Sequence, residues 1–76
     1  MYENFQRTIE FCNYQIEKGH YVTYTKLYKD LNALELEIDF AYRHEALSHI
    51  EFNELENEIK NTLLLFRNWK EKSASN

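Results

Sequence analysis

The fold is decided by residues 48–72, which read SHIEFNELENEIKNTLLLFRNWKEK. Apolar residues in this stretch recur at steps of three and four, and they are Phe52, Leu55, Ile59, Leu63 and Phe66. At 100° per residue they share a stripe of roughly 80° on one face of a helix. We therefore predict that a long C-terminal helix forms the centre of the domain.

The start of this helix carries its own signal. Ser48 is followed three residues later by Glu51, the spacing of a capping box in which each side chain accepts a hydrogen bond from a free backbone N–H. Acidic residues near this end and basic residues near the other also suit the helix dipole. The sequence leaves open whether Ser48 is a true break or lies inside one longer helix covering about residues 39–71.

A first helix is predicted from about Glu3 to Lys18. Its inner face is formed by residues that step by four, three and four, namely Phe5, Ile9, Cys12 and Ile16. Gly19 is the natural residue after the helix because it has no Cβ to clash in the left-handed conformation. We expect the helix to stop there.

A second helix is predicted to start at an N-cap provided by Thr23 or Thr25 and to run through Asn32. The following stretch, residues 33–40, is ambiguous because apolar and acidic residues alternate in it with the two-residue period of a half-buried strand. Leu and Glu favour helix, however, and a strand would have no partner in this chain. We favour a helix with a kink or short break within residues 32–39.

These patterns predict an all-α fold: three or four helices packed around a long C-terminal helix, with one domain over residues 1–72 and a disordered tail at 73–76. A chain of 76 residues is near the lower limit for a core that is stable alone. The single cysteine, Cys12, allows no intramolecular disulfide. Self-association or a partner protein is therefore expected to add stability.

Charge is distributed unevenly. The net charge is −4 over the chain, but residues 33–59 carry eight acids against one base, and this excess includes Glu35, Glu37 and Asp39. Such a distribution argues against a nucleic-acid footprint and suits a protein partner with a basic surface. We predict that these three acids contact the partner.

The last helix has more apolar residues than one stripe requires. Leu64, Leu65 and Trp69 extend the apolar surface around most of its circumference, and a helix that is apolar all round is buried on several sides. Either the short helices cover this surface completely, or it is covered by self-association or a partner. We predict that Leu64, Leu65 and Trp69 contact a partner and that the chain forms homo-oligomers.

No residue pattern predicts catalysis, a cofactor or a metal ion. His44 and His49 lie five residues apart, which places them about 140° from each other on a helix, whereas the zinc protease motif requires a spacing of four. Cys12 lies on the apolar stripe of the first helix and has the character of a buried structural thiol. We therefore expect no enzymatic activity.

No apolar run approaches the length of a membrane span, and the N-terminal residues do not have the charge and hydropathy pattern of a signal peptide. We expect a cytoplasmic protein. The preferred function is a small protein-binding or regulatory module, of the adaptor or inhibitor kind.

An alternative function is DNA binding. Residues 19–31, GHYVTYTKLYKDL, resemble the opening of many helix-turn-helix and winged-helix domains. The resemblance implies that the segment after Asn32 supplies a recognition helix. That segment carries acidic residues where a DNA reader needs Arg, Lys, Asn or Gln.

Overall fold

The computed structural model describes residues 1–21 and 23–74, and it contains three α-helices. Helix α1 covers Tyr2–Glu17, α2 covers Tyr24–Arg43 and α3 covers His49–Ala74. Within the described residues there is no strand. The longest helix, α3, packs against both α1 and α2, so the prediction of a small all-α domain around a long C-terminal helix is confirmed. Helix α3 includes residues 73 and 74 of the expected tail, and 75–76 lie outside the described residues.

Helix α1 runs parallel to α3 and is joined to it by polar contacts along one edge. The Tyr2 hydroxyl donates a hydrogen bond to Glu54, and this bond raises the pKa of Tyr2 to about 12. Further along, the buried Thr62 hydroxyl donates to the Asn13 side-chain oxygen at 2.7 Å. Because a hydrogen bond to a buried hydroxyl has a narrow geometry, these contacts fix the register of α1 on α3.

Helix α2 runs antiparallel to α3, and aromatic rings mark the two ends of the contact. The Tyr42 ring, near the end of α2, stacks on Phe52 with 4.3 Å between ring centroids. At the start of α2, the Tyr24 ring lies 5.8 Å from that of Phe66. The short connections therefore produce an up-down-up arrangement of the three helices.

The core contains the residues that the apolar stripes predict. From α3, Leu55, Ile59 and Phe66 are at most 1% exposed, while Phe52 and Leu63 are partly buried at its edges. The other buried apolar side chains of the helices are Ile9, Cys12 and Ile16 of α1 and Leu27, Leu31, Leu34, Ile38 and Ala41 of α2. Helices α1 and α2 thus bury their inner faces mainly against α3.

Helix α2 is continuous from Tyr24 to Arg43. The predicted end at Asn32 and the predicted kink or break within residues 32–39 are therefore wrong. The helical interpretation of residues 33–40 is right, because the core stripe of α2 continues through this stretch without a shift of face.

The alternating pattern in this stretch has a simple physical origin. Leu34 and Ile38 are buried in the core, whereas Leu36 and Phe40 are 70% and 65% exposed. Residues four apart share a helix face, and residues two apart lie about 160° from each other. Helix α2 therefore has two opposite apolar faces, which together imitate the period of a strand.

Helices α2 and α3 both start at the predicted caps. The Thr23 hydroxyl accepts a hydrogen bond from the Lys26 N–H at 3.3 Å. At the start of α3, the Glu51 carboxylate accepts from the Ser48 N–H at 2.9 Å, and the Ser48 hydroxyl accepts from the Glu51 N–H at 3.1 Å. The reciprocal capping box is confirmed, and Ser48 separates α2 from α3 instead of lying inside one long helix.

The end of α1 also follows its signal. Gly19 has a φ of +74°, and the N–H groups of Gly19 and His20 donate to the carbonyls of Ile16 and Gln15 at 3.0 and 2.9 Å. This is the Schellman arrangement. A Cβ on Gly19 would lie 3.4 Å from the Trp69 ring, which is close to ordinary van der Waals contact, so glycine is favoured here by the backbone conformation.

The end of α2 uses the same arrangement without a glycine. The N–H groups of Glu45 and Ala46 donate to the carbonyls of Tyr42 and Ala41 at 3.1 and 2.8 Å. Glu45 consequently adopts a φ of +61°, which is unfavourable for a residue with a Cβ. No Gly or Asn marks this turn in the sequence, so its position could not be read from residue type.

Candidate functional site

An apolar groove opens between α1 and α2 on the side away from α3. Its wider part has a volume of about 490 Å³ and is lined by the start of α1, including Met1 and Phe5, and by Leu36, Phe40 and Ala41 of α2. An adjoining cleft of about 340 Å³ continues toward the α1–α2 turn. Because α1 and α2 both rest on α3, the groove has rigid helical walls.

The side chains around this groove are large, apolar and accessible. Leu36 is 70% exposed, Phe40 65%, Met1 63% and Phe11, in the adjoining cleft, 61%. Leu36, Phe40 and Phe11 lie off the core stripes of their helices, and Met1 precedes the first residue of α1, so the core of the single chain does not bury them. They form a concave apolar surface.

The charged groups at this surface are mainly acidic. Glu37 lines both the groove and the cleft, Asp30 lines the cleft, and His44 lies at the groove end. Among the described residues, no Lys or Arg lines either part. A negative potential is therefore expected along the wall formed by α2.

The inner end of the cleft is closed by a hydrogen-bonded chain. The buried Tyr21 hydroxyl donates to Asp30 at 2.9 Å, and the Cys12 thiol lies 3.9 Å from the same hydroxyl oxygen. Burial, followed by the hydrogen bond to Asp30, raises the pKa of Tyr21, and burial raises the pKa of Cys12. Both groups stay protonated near neutral pH, so this chain supports the cleft and offers no activated nucleophile.

The three acids predicted to contact a partner do not share one face. Glu37 lies in the groove. Glu35 and Asp39 lie on the other side of α2, near Glu56 of α3, whose pKa is raised by burial and by the charges of these two acids. Asp39 also pairs with Arg43 at 3.1 Å. We call Glu35, Asp39 and Glu56 the acidic edge.

The three apolar residues predicted to contact a partner are also separated. Leu65 and Trp69 are partly buried and pack against the core, and the Trp69 ring stacks on Phe66 at 6.3 Å and covers Gly19. Leu64 alone is well exposed, at 54%. Leu65 and Trp69 are thus partly covered within the chain, and Trp69 lies beside the turn that follows α1.

The two histidines of residues 44–49 make local contacts. The His44 ring packs on Phe40 at 4.2 Å, and His49 Nδ1 lies 3.1 Å from the Tyr42 hydroxyl. In the part of the chain that the structure describes, no group of three His, Cys, Asp or Glu side chains is arranged to hold a metal ion.

The segment after Asn32 continues α2 and does not form a separate helix. The recognition helix that the helix-turn-helix resemblance implies is therefore not formed at that position.

Sequence reasoning did not identify the groove, although its signal is present. Leu36 and Phe40 are four residues apart and fall off the core stripe, as does Phe11 on α1. A second stripe of this kind indicates a second contact surface. Which residues face this stripe across the groove depends on how α1 and α2 are placed relative to each other. The pattern of a single helix does not give that placement.

Across residues 1–21 and 23–74, no helix combines the length and the hydropathy of a membrane span. No protein-family model, curated protein or solved structure matches this chain.

Proposed function

We propose that this chain is a cytoplasmic protein–protein interaction module, of the adaptor or inhibitor kind, which acts by binding and not by catalysis and which self-associates. The observation that carries the proposal is the exposed apolar groove between α1 and α2. Soluble monomers rarely leave a contiguous apolar patch of several hundred Å² uncovered, and patches of that size are often contact surfaces.

The shape of the groove supports a helical ligand. Two antiparallel helices resting on a third leave the fourth corner of a four-helix bundle open, with Leu36 and Phe40 on one wall and Met1 and Phe11 on the other. An amphipathic helix laid in this corner would bury its apolar face against both walls. The groove is therefore suited to a protein segment more than to a small polar molecule.

The acidic groups support a partner with basic residues near its apolar face. Glu37 lines the groove, and two residues of the acidic edge, Glu35 and Asp39, lie on another side of the same helix. Opposite charge across an interface speeds encounter and selects among partners. The effect is screened by salt, so association with a basic partner should slow as ionic strength rises.

The test compares two matched double variants. Leu36→Gln with Phe40→Gln removes apolar surface from the groove, and Leu64→Gln with Ile50→Gln removes a similar amount from the exposed side of α3, where the two residues are 54% and 69% exposed. Gln favours helix and adds no charge, so both variants should keep the wild-type circular dichroism.

The readout is the set of proteins retained from a cell lysate by each immobilised chain. We expect wild type and the α3 variant to retain the same proteins, and the groove variant to lose them. Retention of the same proteins by all three chains would contradict the proposal, because the groove would then make no contribution to binding.

A further inference from the structure

We infer that the groove holds helix α2 of a second copy of this chain, in an antiparallel contact with two-fold symmetry. The inference rests on the proposed function, because it takes the groove as a binding surface. In the assembly, α2 of each copy fills the open corner between α1 and α2 of the other, and the contact is the same on both sides.

The outward face of α2 supplies the surface for this contact. Ala33, Leu36 and Phe40 follow each other at steps of three and four, and all three are exposed. They lie opposite the core residues Leu34 and Ile38. A helix that is apolar on two opposite faces is packed on both sides, and the chain itself covers only one.

The exposed area agrees with what a stable dimer needs. Leu36, Phe40, Met1 and Phe11 are 61–70% exposed, which amounts to roughly 500 Å² of side-chain surface if each side chain offers about 200 Å² when fully exposed. A standard interface buries about 800 Å² per partner, of which somewhat more than half is apolar. The groove and the outer face of α2 therefore supply about the apolar area that one half of such an interface requires.

Residue sizes select the antiparallel orientation. With the two-fold axis between positions 36 and 37, Ala33 of one copy faces Phe40 of the other, so a small residue lies opposite a large one at both ends of the contact, and Glu37 of each copy lies next to Leu36 of the other. A parallel contact would place Phe40 on Phe40.

The exposed apolar residues of α3 do not compete for this role. Ile50 and Leu64 of α3 are well exposed, but they are fourteen residues apart, or about 21 Å along a helix. They form no continuous patch. For this reason they serve as the matched control.

The experiment is sedimentation equilibrium of the full chain from about 1 to 500 µM. We expect wild type and the Leu64→Gln, Ile50→Gln variant to dimerise with the same dissociation constant. The Leu36→Gln, Phe40→Gln variant should dissociate at least 100-fold more readily, because each copy loses apolar contacts at the centre of the interface.

Symmetry is tested by oxidative cross-linking of single cysteine variants. Leu36→Cys places one thiol beside the two-fold axis in each copy, so a disulfide between copies should form within the dimer. Leu64→Cys should not cross-link at the same rate. The native Cys12 is only 7% exposed and gives little background.

Three results would overturn the inference: a wild-type chain that is folded and monomeric at 500 µM, a dimer unaffected by the groove substitutions, or equal cross-linking at positions 36 and 64. A monomeric wild type would also remove self-association from the proposed function, whereas binding of other proteins in the groove is tested separately. A monomer whose groove variant still loses its lysate partners removes the dimer and keeps the interaction module.

Discussion

Replacing Glu45 by glycine is expected to stabilise the protein. Glu45 occupies the turn between α2 and α3 with a φ of +61°, and its N–H donates to the Tyr42 carbonyl at 3.1 Å. The left-handed conformation is needed for the hydrogen bonds that end α2, yet it brings the Cβ of an L-residue close to the following carbonyl oxygen. Glycine removes that repulsion and keeps the turn.

The expected gain follows from two opposing contributions. Relief of the left-handed conformation is worth about 1–2 kcal/mol. Glycine also makes the unfolded chain more flexible, which costs about 0.5–1 kcal/mol. The net free energy of unfolding should therefore rise by about 0.5–1 kcal/mol, and for a chain of this size the melting temperature should rise by about 3–6 °C.

The assay is thermal unfolding followed by circular dichroism, with two controls. Glu45→Ala removes the same charge but retains the Cβ, so it should melt close to wild type. Glu10→Gly makes the same substitution at an exposed position inside α1, where glycine costs about 1 kcal/mol and should lower the melting temperature. The reasoning is refuted if Glu45→Gly melts at or below Glu45→Ala.

Three further substitutions test the core, a cap and the acidic edge. Ile59→Ala empties a position that is 1% exposed and should lower the free energy of unfolding by about 2–5 kcal/mol in urea denaturation; a loss below 1 kcal/mol would show that Ile59 is not central to the core. Ser48→Ala removes the hydroxyl that accepts from the Glu51 N–H and should cost about 1 kcal/mol by the same measurement, and an unchanged midpoint would contradict the role of the capping box. The pKa of Glu56 is raised in the folded state, first by burial and then by its acidic neighbours, so its contribution to stability is present below the unfolded pKa and is lost as pH rises through the folded value. The change in melting temperature caused by Glu56→Gln should therefore be more positive at about pH 7 than at about pH 4. Equal changes at both pH values would contradict this assignment.

Local patterns determined most of the secondary structure. The stripes that begin at Phe5 and Phe52 predicted α1 and α3, and the signals at Gly19 and at Thr23 or Thr25 predicted helix ends that are confirmed, with Thr23 as the cap. At Ser48 the sequence predicted the capping box but left open whether the helix breaks there, and the structure shows the break. Each of these signals acts within about one helical turn, because a cap satisfies backbone groups of its own first or last turn. The sequence alone is therefore sufficient to predict features that are determined within one helical turn.

Local patterns failed where one helix carries two apolar faces and where a turn lacks a residue that favours it. The alternation through residues 33–40 suggested a break because two apolar faces were superimposed on one helix, and the true turn at Glu45 carries no residue that favours it. There the conformation is the one required by the two hydrogen bonds that end α2. Residue preference at a single position is weaker than that constraint.

The candidate site was decided by tertiary structure. The sequence supplied an excess of apolar and acidic residues, but it could not assign them to surfaces. Trp69 packs against the core and lies beside Gly19, in the turn after α1, whereas Phe40 is exposed because no helix in the described part of the chain occupies the fourth corner beside it. The periodicity of a helix determines which of its residues share a face, and only the placement of the other helices determines which of those faces are covered.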